Sequence, residues 1–346
     1  MLHYTTQILI VGGGPAGLAS ACTLKQAGYE TLVLERGVFA AGVARFPMYM
    51  RFFSTTDLVE LCGFPLAIPD EKPTRQQYLR YLHRFAADLG LSVRLHHEVA
   101  TLAGRDGAFT VEGQTAWGEP FAARAEKVIL ASGAYDHPNR LNVSGEDLPK
   151  VSHYYTEIND YIGRKVLIVG GRHSASEAAL ELARAGVEVS LCHRGTGFEG
   201  LKYWVRPDLE NRIKEGRIRV YMPARVVEIK PRAALLAYEN HAKEPSFEIE
   251  NDAVLALIGY HPDPDFLQRM GVATDPRTRC PVFNPRTLES ATPGLYLVGV
   301  MLAGDISGAI FIENSRHHGR QVLDHLRKKA LPPQAVRPGP RARSGG

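Results

Sequence analysis

Apolar residues fall in short blocks along the chain, each ended by a glycine or a charge. Gln7–Val11 (QILIV) reads as a strand buried on both faces of a parallel sheet. It runs into Gly12-Gly13-Gly14-Pro15-Ala16-Gly17. A helical pattern follows from Leu18 to Ala27, stopped by Gly28. A second apolar run, Thr31–Leu34, ends on Glu35. Strand, G-x-G-x-x-G, helix, strand and an acid about 20 residues on make a dinucleotide-binding unit.

Each position has a physical reason. Gly12 permits the tight turn, Gly14 lets the backbone approach a pyrophosphate, and Gly17 lets the helix sit close to the strand. The helix N-terminus offers N–H groups and the positive end of its dipole to phosphate. Glu35 can accept hydrogen bonds from a ribose hydroxyl.

Slid along the chain so that Gly12 meets Gly170, the pattern recurs. Lys165–Val169 (KVLIV) is the strand, and Gly170-Gly171-Arg172-His173-Ser174-Ala175 is the turn. Ser176–Ala185 is the helix, and Val187–Cys192 is the second strand. His193-Arg194-Gly195 then falls where Glu35-Arg36-Gly37 fell. One unit used twice predicts two dinucleotides. A carboxylate repels a ribose 2′-phosphate and an arginine binds it. The first site is therefore expected to take FAD or NAD, and the second NADP. Arg172 replaces the middle glycine of the second turn, where it can contact phosphate but bars the closest backbone approach.

The rest of the chain fits around these copies. Val128–Ala131 leads to Gly133-Ala134-Tyr135-Asp136-His137-Pro138, and Val254–Ile258 leads to Gly259-Tyr260-His261-Pro262. Both mark crossings between two nucleotide domains. Ser92–Lys127 alternates like a β-meander, and Arg217–Lys230 with Phe247–Ile249 repeats that pattern. Gly294–Val300 reads as a last strand, followed by a helix over Asn314–Lys329 that Asn314 could cap. The expected fold is α/β with two Rossmann-like domains of the three-layer ββα type. Residues 1–155 and 262–330 form the first, 156–261 form the second, inserted in it, and the Pro/Gly/Arg-rich tail 331–346 is disordered.

Composition narrows the class without naming a function. The 346 residues are 45% hydrophobic and 23% charged, with a net charge of +4, an ordinary globular mix that gives no sign of nucleic acid. No apolar run approaches the ~18–20 residues that cross a bilayer. His3 to Gln7 interrupt any signal-peptide core. The four cysteines, Cys22, Cys62, Cys192 and Cys280, form no C-x-x-C, so no zinc knuckle or vicinal redox pair is expected. They read as ordinary reduced thiols of a cytoplasmic protein.

The layout of GGGPAG, Ala131-Ser132-Gly133, GGRHSA and a late strand-glycine resembles the two-dinucleotide flavoproteins, over about residues 5–330. Further stretches resemble the bacillithiol-disulfide reductases of the YpdA type within that group. These are Arg51-Phe52-Phe53-Ser54-Thr55, Tyr135-Asp136-His137-Pro138, Gly145–Val151 with His153-Tyr154, Gly259–Asp263 and Ile310–Asn314. The resemblance implies an NADPH-dependent FAD enzyme, commonly a homo-oligomer, that reduces a low-molecular-weight disulfide. It implies FAD on Gly12, Gly14, Pro15, Ala16, Gly17, Glu35, Arg36, Phe53, Val99, Ser132, Gly133, Gly299 and Asp305. It implies NADPH on Gly170, Gly171, Arg172, His173, Ser174, His193 and Arg194. No residue is assigned as catalytic and none as a metal ligand.

One position departs from that family, whose members carry Cys inside the first turn where this chain has Ala16. The chain then works without that thiol or uses another acceptor. A thioredoxin reductase would need C-x-x-C near Ser152–Thr156, where there is none. A flavin monooxygenase would carry F-x-G-x-x-x-H, and His153 fits but Asp147 and Pro149 do not. A thioredoxin-reductase-like ferredoxin–NADP reductase needs neither motif and stays open, as does a non-enzymatic nucleotide-binding regulator.

Overall fold

The computed structural model describes residues 1–239, 246–306 and 308–329. The disordered tail expected at 331–346 lies outside these residues. The chain divides into two units. The first comprises Met1–Arg45, Met50–His137 and the chain from His261 onward, and the second comprises Phe46–Tyr49 and Pro138–Tyr260. Both are Rossmann-like α/β units, and the second is inserted in the first.

In the first unit, β1 (Leu2–Val11) is followed by α1 (Pro15–Gln26) and β2 (Thr31–Leu34). β1 pairs in parallel with β2 on one side and with Pro120–Leu130 on the other. Ile8, Leu9 and Ile10 are wholly buried, each burial contributing roughly 1.5–3 kcal/mol. The expected meander is present as His97–Arg105, Ala108–Thr115 and Pro120–Leu130, antiparallel in sequence. Leu295–Leu297 pairs in parallel with Val128–Leu130, the far end of the same long strand.

The second unit repeats the start of the first. β3 (Lys165–Val169), α2 (His173–Arg184) and β4 (Glu188–Cys192) lie in a five-stranded sheet completed by Ile218–Tyr221, Ala253–Ala256 and Val151–Ser152. A three-stranded antiparallel sheet, Ala224–Ile229, Ala233–Tyr238 and Phe247–Glu250, joins it. The unit begins at Pro138, ahead of residue 156, because Val151 pairs with Val254. The Lys150 ammonium also bonds the carbonyls of Ala233 and Asn251 at 3.2 and 3.3 Å.

Two helices differ from the sequence reading in a way that bears on the site. α1 and α2 begin three residues earlier than expected, at Pro15 and His173, so the glycine turns feed directly into helix N-termini. The C-terminal helix is broken: Ile312–Ser315 is a single turn, and α3 (His318–Lys328) starts after Arg316-His317. Asn314 does not cap a long helix. Its side-chain oxygen reaches back to the N–H of Phe311 at 2.9 Å, closing the short turn instead.

Candidate functional site

The first turn is shaped by contacts that forbid side chains. Gly12 has φ +110°, and a Cβ there would stand 2.3 Å from the Ala131 carbonyl oxygen. A Cβ on Gly17 would stand 2.1 Å from the Gly12 carbonyl. Gly14 is different, since a Cβ there would meet nothing within 4 Å. The space over Gly14 is therefore open for a ligand, at the N-cap of α1. Pro15 at the first helical position has no N–H to lose. Leu18 N–H already bonds the Gly14 carbonyl at 2.9 Å. Ala16 and Gly17 are then the first-turn N–H groups without an acceptor inside the helix, and a phosphate there would satisfy them.

Glu35 lies buried at the end of β2. One carboxylate oxygen accepts from Gly13 N–H at 2.7 Å and the other from Gly37 N–H at 2.8 Å. A carboxylate has about four acceptor sites, so these two bonds hold the turn and still leave room for a ribose hydroxyl. Gly13 is the residue the sequence reading missed. Its donor role could have been seen in the triple glycine, where only the first and third are needed for the turn.

Of the other first-unit residues, Gly299 lies directly against this turn. Gly133 has φ +74°, and the Ser132 hydroxyl reaches Met301 Sδ at 3.6 Å. Gly299 has φ +89°, and a Cβ on it would stand 3.1 Å from Ala16 Cβ. Its N–H donates to Nδ1 of His318, the first residue of α3, at 3.0 Å. Burial pushes His318 down to about 4, so its ring is neutral at ordinary pH. Arg36 pairs with Asp136, as does Arg45. Phe53 is half-buried beside Phe52, which packs on Tyr78 with centroids 4.8 Å apart. Val99 is buried at a register shift of the meander. Asp305 is taken by Arg279, whose Nε donates to it at 2.7 Å.

The second turn repeats one of these contacts and adds another. Gly170 has φ +142° and a Cβ there would stand 2.4 Å from the Leu257 carbonyl, as Gly12 does against Ala131. A Cβ on Gly171 would instead strike the His193 ring at 2.3 Å, and one on Gly195 would meet His193 Nε2 at 2.5 Å. The imidazole is wedged between two bare backbones, bonds the Gly197 carbonyl at 3.1 Å and stacks on Phe198. Burial lowers its pKa, and likewise that of His173, whose Nε2 accepts Lys202 N–H at 3.0 Å. Positive charge around this turn is thus carried by the exposed Arg172 and Arg194 and by Lys202. Ser174, one residue into the helix after His173, is exposed.

His153 sits inside the second unit, its Nε2 3.4 Å from the Glu146 carboxylate. That carboxylate also accepts the N–H groups of Leu141 and Asn142 at 2.7 and 2.8 Å. Among the described residues no cluster of His, Cys, Asp and Glu could hold a metal. Among the same residues no helix is long and apolar enough to cross a membrane.

Two glycine turns at two helix N-termini, one ending on an acid and one ringed by cations, are the frame of a flavoprotein reductase. The family model for pyridine nucleotide-disulphide oxidoreductases matches residues 9–299. The chain belongs to the pyridine nucleotide-disulphide oxidoreductases. This oxidoreductase is 35% identical over 324 residues to bacilliredoxin reductase Bdr of Bacillus subtilis, covering 93% of this chain and 97% of the relative. The bacillithiol disulfide reductase Bdr (YpdA) structure from Bacillus cereus superposes with a TM-score of 0.90 at 32% identity, covering 94% of this chain and 99% of that one. A ferredoxin–NADP reductase of Gluconobacter oxydans is 32% identical, over 59% of this chain and 60% of its own length. The specific likeness to the YpdA-type reductases expected from the motifs holds over nearly the whole oxidoreductase.

Proposed function

We propose that this oxidoreductase holds FAD in its first unit and NADPH in its second, and reduces a low-molecular-weight disulfide, bacillithiol disulfide. The open space over Gly14, beside the buried Glu35, carries this reading. It fits a pyrophosphate on the N–H groups of Ala16 and Gly17 with a ribose on Glu35. Around the second turn, Arg172 and Arg194 fit a 2′-phosphate, which a carboxylate in the place of His193 would repel. FAD, when bound, supplies the two-electron chemistry between nicotinamide and disulfide. The chain's own part is to fix the turn through Glu35, to offer N–H donors at α1, and to keep neutral His318 against Gly299. Gly133, Ser132, Gly299, Phe53 and Val99 would border the flavin. Asp305 is less suited, being engaged by Arg279.

The names of the relatives support a disulfide acceptor, whether a small molecule or a protein that carries one. The pairing of a cysteine-free turn with a ferredoxin reductase likeness favours ferredoxin or flavodoxin as the second reading. We place the protein in the cytoplasm, in keeping with its free cysteines among the described residues, and from the family resemblance we read it as a homo-oligomer. The test is an acceptor screen on purified yellow protein. Bacillithiol disulfide should accelerate NADPH oxidation, alone or through bacilliredoxin. Acceleration by ferredoxin or flavodoxin alone would hand the function to the second reading. A colourless protein that cannot be reconstituted with FAD would end both.

A further inference from the structure

Far apart in sequence, Cys22 and Cys62 come together in the first unit. Cys22 lies on α1 and is wholly buried, while Cys62 is half-buried. The Cys62 thiol is laid along α1: its Sγ is 3.4 Å from the Ala19 carbonyl oxygen and 3.5 Å from the Thr23 hydroxyl. Cys22 stands between those two positions on the same helix, and each thiol shifts the ionisation of the other.

The backbone is shaped to hold Cys62 there. Leu61 and Phe64 face each other across a tight turn, with Phe64 N–H bonded to the Leu61 carbonyl at 2.9 Å. Its two central residues, Cys62 and Gly63, both have positive φ, +53° and +72°. Such a turn normally takes Asn-Gly or Gly-Gly. A cysteine in the left-handed region is an outlier, and outliers of this kind point to function when the surroundings over-determine them. Here they do. The Tyr81 hydroxyl accepts Leu61 N–H at 2.6 Å and donates to the Phe64 carbonyl at 2.9 Å, clamping both ends of the turn.

We propose that Cys22 and Cys62 are a redox-active pair that a low-molecular-weight disulfide converts to a disulfide within the first unit. Cys62 is the attacking thiol. Its exposure gives access, and its contacts with the Cys22 thiol and with Thr23 lower its pKa despite partial burial. The same contact and burial raise that of Cys22, which suits a thiol that acts second. The Cys62 thiolate attacks one sulfur of R–S–S–R, the S–S bond breaks, and one thiolate leaves and takes up a proton. Cys22 then gives up its proton and attacks the Cys62 sulfur, forming the Cys22–Cys62 bond and releasing the second R–S⁻. The substrate gains two electrons and two protons, and the pair loses them. A dithiol reverses the exchange. The site is distinct from position 16, whose Cβ faces Gly299. The choice of oxidant rests on the proposed function, but the pair can be tested without NADPH.

The flavin-loaded protein, without NADPH, is incubated with excess glutathione disulfide, freed of it, denatured in the presence of an alkylating agent and mapped by mass spectrometry. The expected product is a linked peptide pair joining Cys22 to Cys62, reopened by dithiothreitol, with Cys192 and Cys280 still alkylated. Cys22→Ser should trap one glutathione on Cys62, and Cys62→Ser should leave Cys22 unmodified. If wild-type protein keeps all four thiols free, or carries glutathione on Cys62 with no linked peptide, the pair is overturned. Cys22→Ala, closer in size to a buried thiol, repeats the trap should the serine variant misfold. This result stands apart from the acceptor screen, since an enzyme that reduces only ferredoxin could still show the link.

Discussion

At Gly14 an added side chain would meet nothing, while the matching position of the second unit already bears Arg172. Around these positions the backbones agree. Gly12 and Gly170 both press against a carbonyl just past the end of the strand paired beside them, at 2.3 and 2.4 Å from where a Cβ would lie. The neighbours differ. In the first unit a carboxylate holds the turn by accepting Gly13 N–H. In the second a neutral imidazole holds it by packing on Gly171, and the N-terminal turn is left to arginines. One geometry is thus stabilised by a hydrogen bond in one unit and by shape in the other. That frees the second unit from an anion where a 2′-phosphate would sit, and it lets the first keep an acceptor for a ribose.

Exchanging residues between the turns should break the comparison with the largest effect. Gly14→Arg fills the open space without touching the fold. Flavin should be lost from the purified protein, and NADPH-dependent turnover should fall at least about a hundredfold, on the order of 2.7 kcal/mol. The far-ultraviolet circular dichroism should stay unchanged. Retained yellow colour would show that the space over Gly14 is not the pyrophosphate cradle. The reverse exchange, Arg172→Gly, should leave flavin content untouched.

Arg194→Ala sharpens the cation side. A charged hydrogen bond is worth about 1.5–3 kcal/mol, so the KM for NADPH should rise roughly ten- to a hundredfold while that for NADH barely moves. Equal changes for both would remove Arg194 from phosphate recognition. Glu35→Gln keeps the size of the side chain but sets an NH₂ against either Gly13 or Gly37 N–H. Apo-protein stability should drop by about 1–3 kcal/mol, read from urea midpoints. No change would mean that the turn is held by packing alone, as in the second unit.

Much of this was legible in the sequence because it is local. The glycine spacing, the strand before it and the acid or arginine after it fix one another within some 25 residues. What was not legible depends on distant partners. Asp305 is expected beside a flavin, and its ion pair with Arg279 is a further partner that nothing in the local pattern singles out. Gly171 reads as a glycine of the nucleotide turn, and the packing of His193 on its bare face depends on a residue 22 positions away. Cys22 and Cys62 read as separate thiols, since Cys-Gly is no hairpin signature and only the clamped turn Leu61–Phe64 brings them together. The break before α3 was missed because Asn314 is a plausible cap in either direction, and its actual bond runs backward to Phe311.

That break also sets His318 at the start of α3, and it yields the smallest effect and the cleanest separation of the two units. The ring accepts Gly299 N–H and is held neutral, its pKa pushed down to about 4 by burial. An unfolded histidine titrates near 6.5. Between these values the unfolded chain binds a proton that the folded chain refuses, so the unfolded state gains as pH falls. The His318 contribution to stability should therefore be unaffected above about pH 6.5, decline toward pH 4, and level off below it. His318→Asn offers Gly299 an oxygen that does not titrate. Comparing urea midpoints at neutral and mildly acid pH, the variant should lose roughly 2 kcal/mol less than wild type on acidification. It should not become flat, because His173 and His193 in the second unit are lowered as well and their share remains. A probe confined to each unit would then show a weaker acid response in the first unit, where His325 is still lowered, beside an unchanged response in the second. An identical acid response in variant and wild type would mean that His318 is not held neutral as the acceptor of Gly299 N–H.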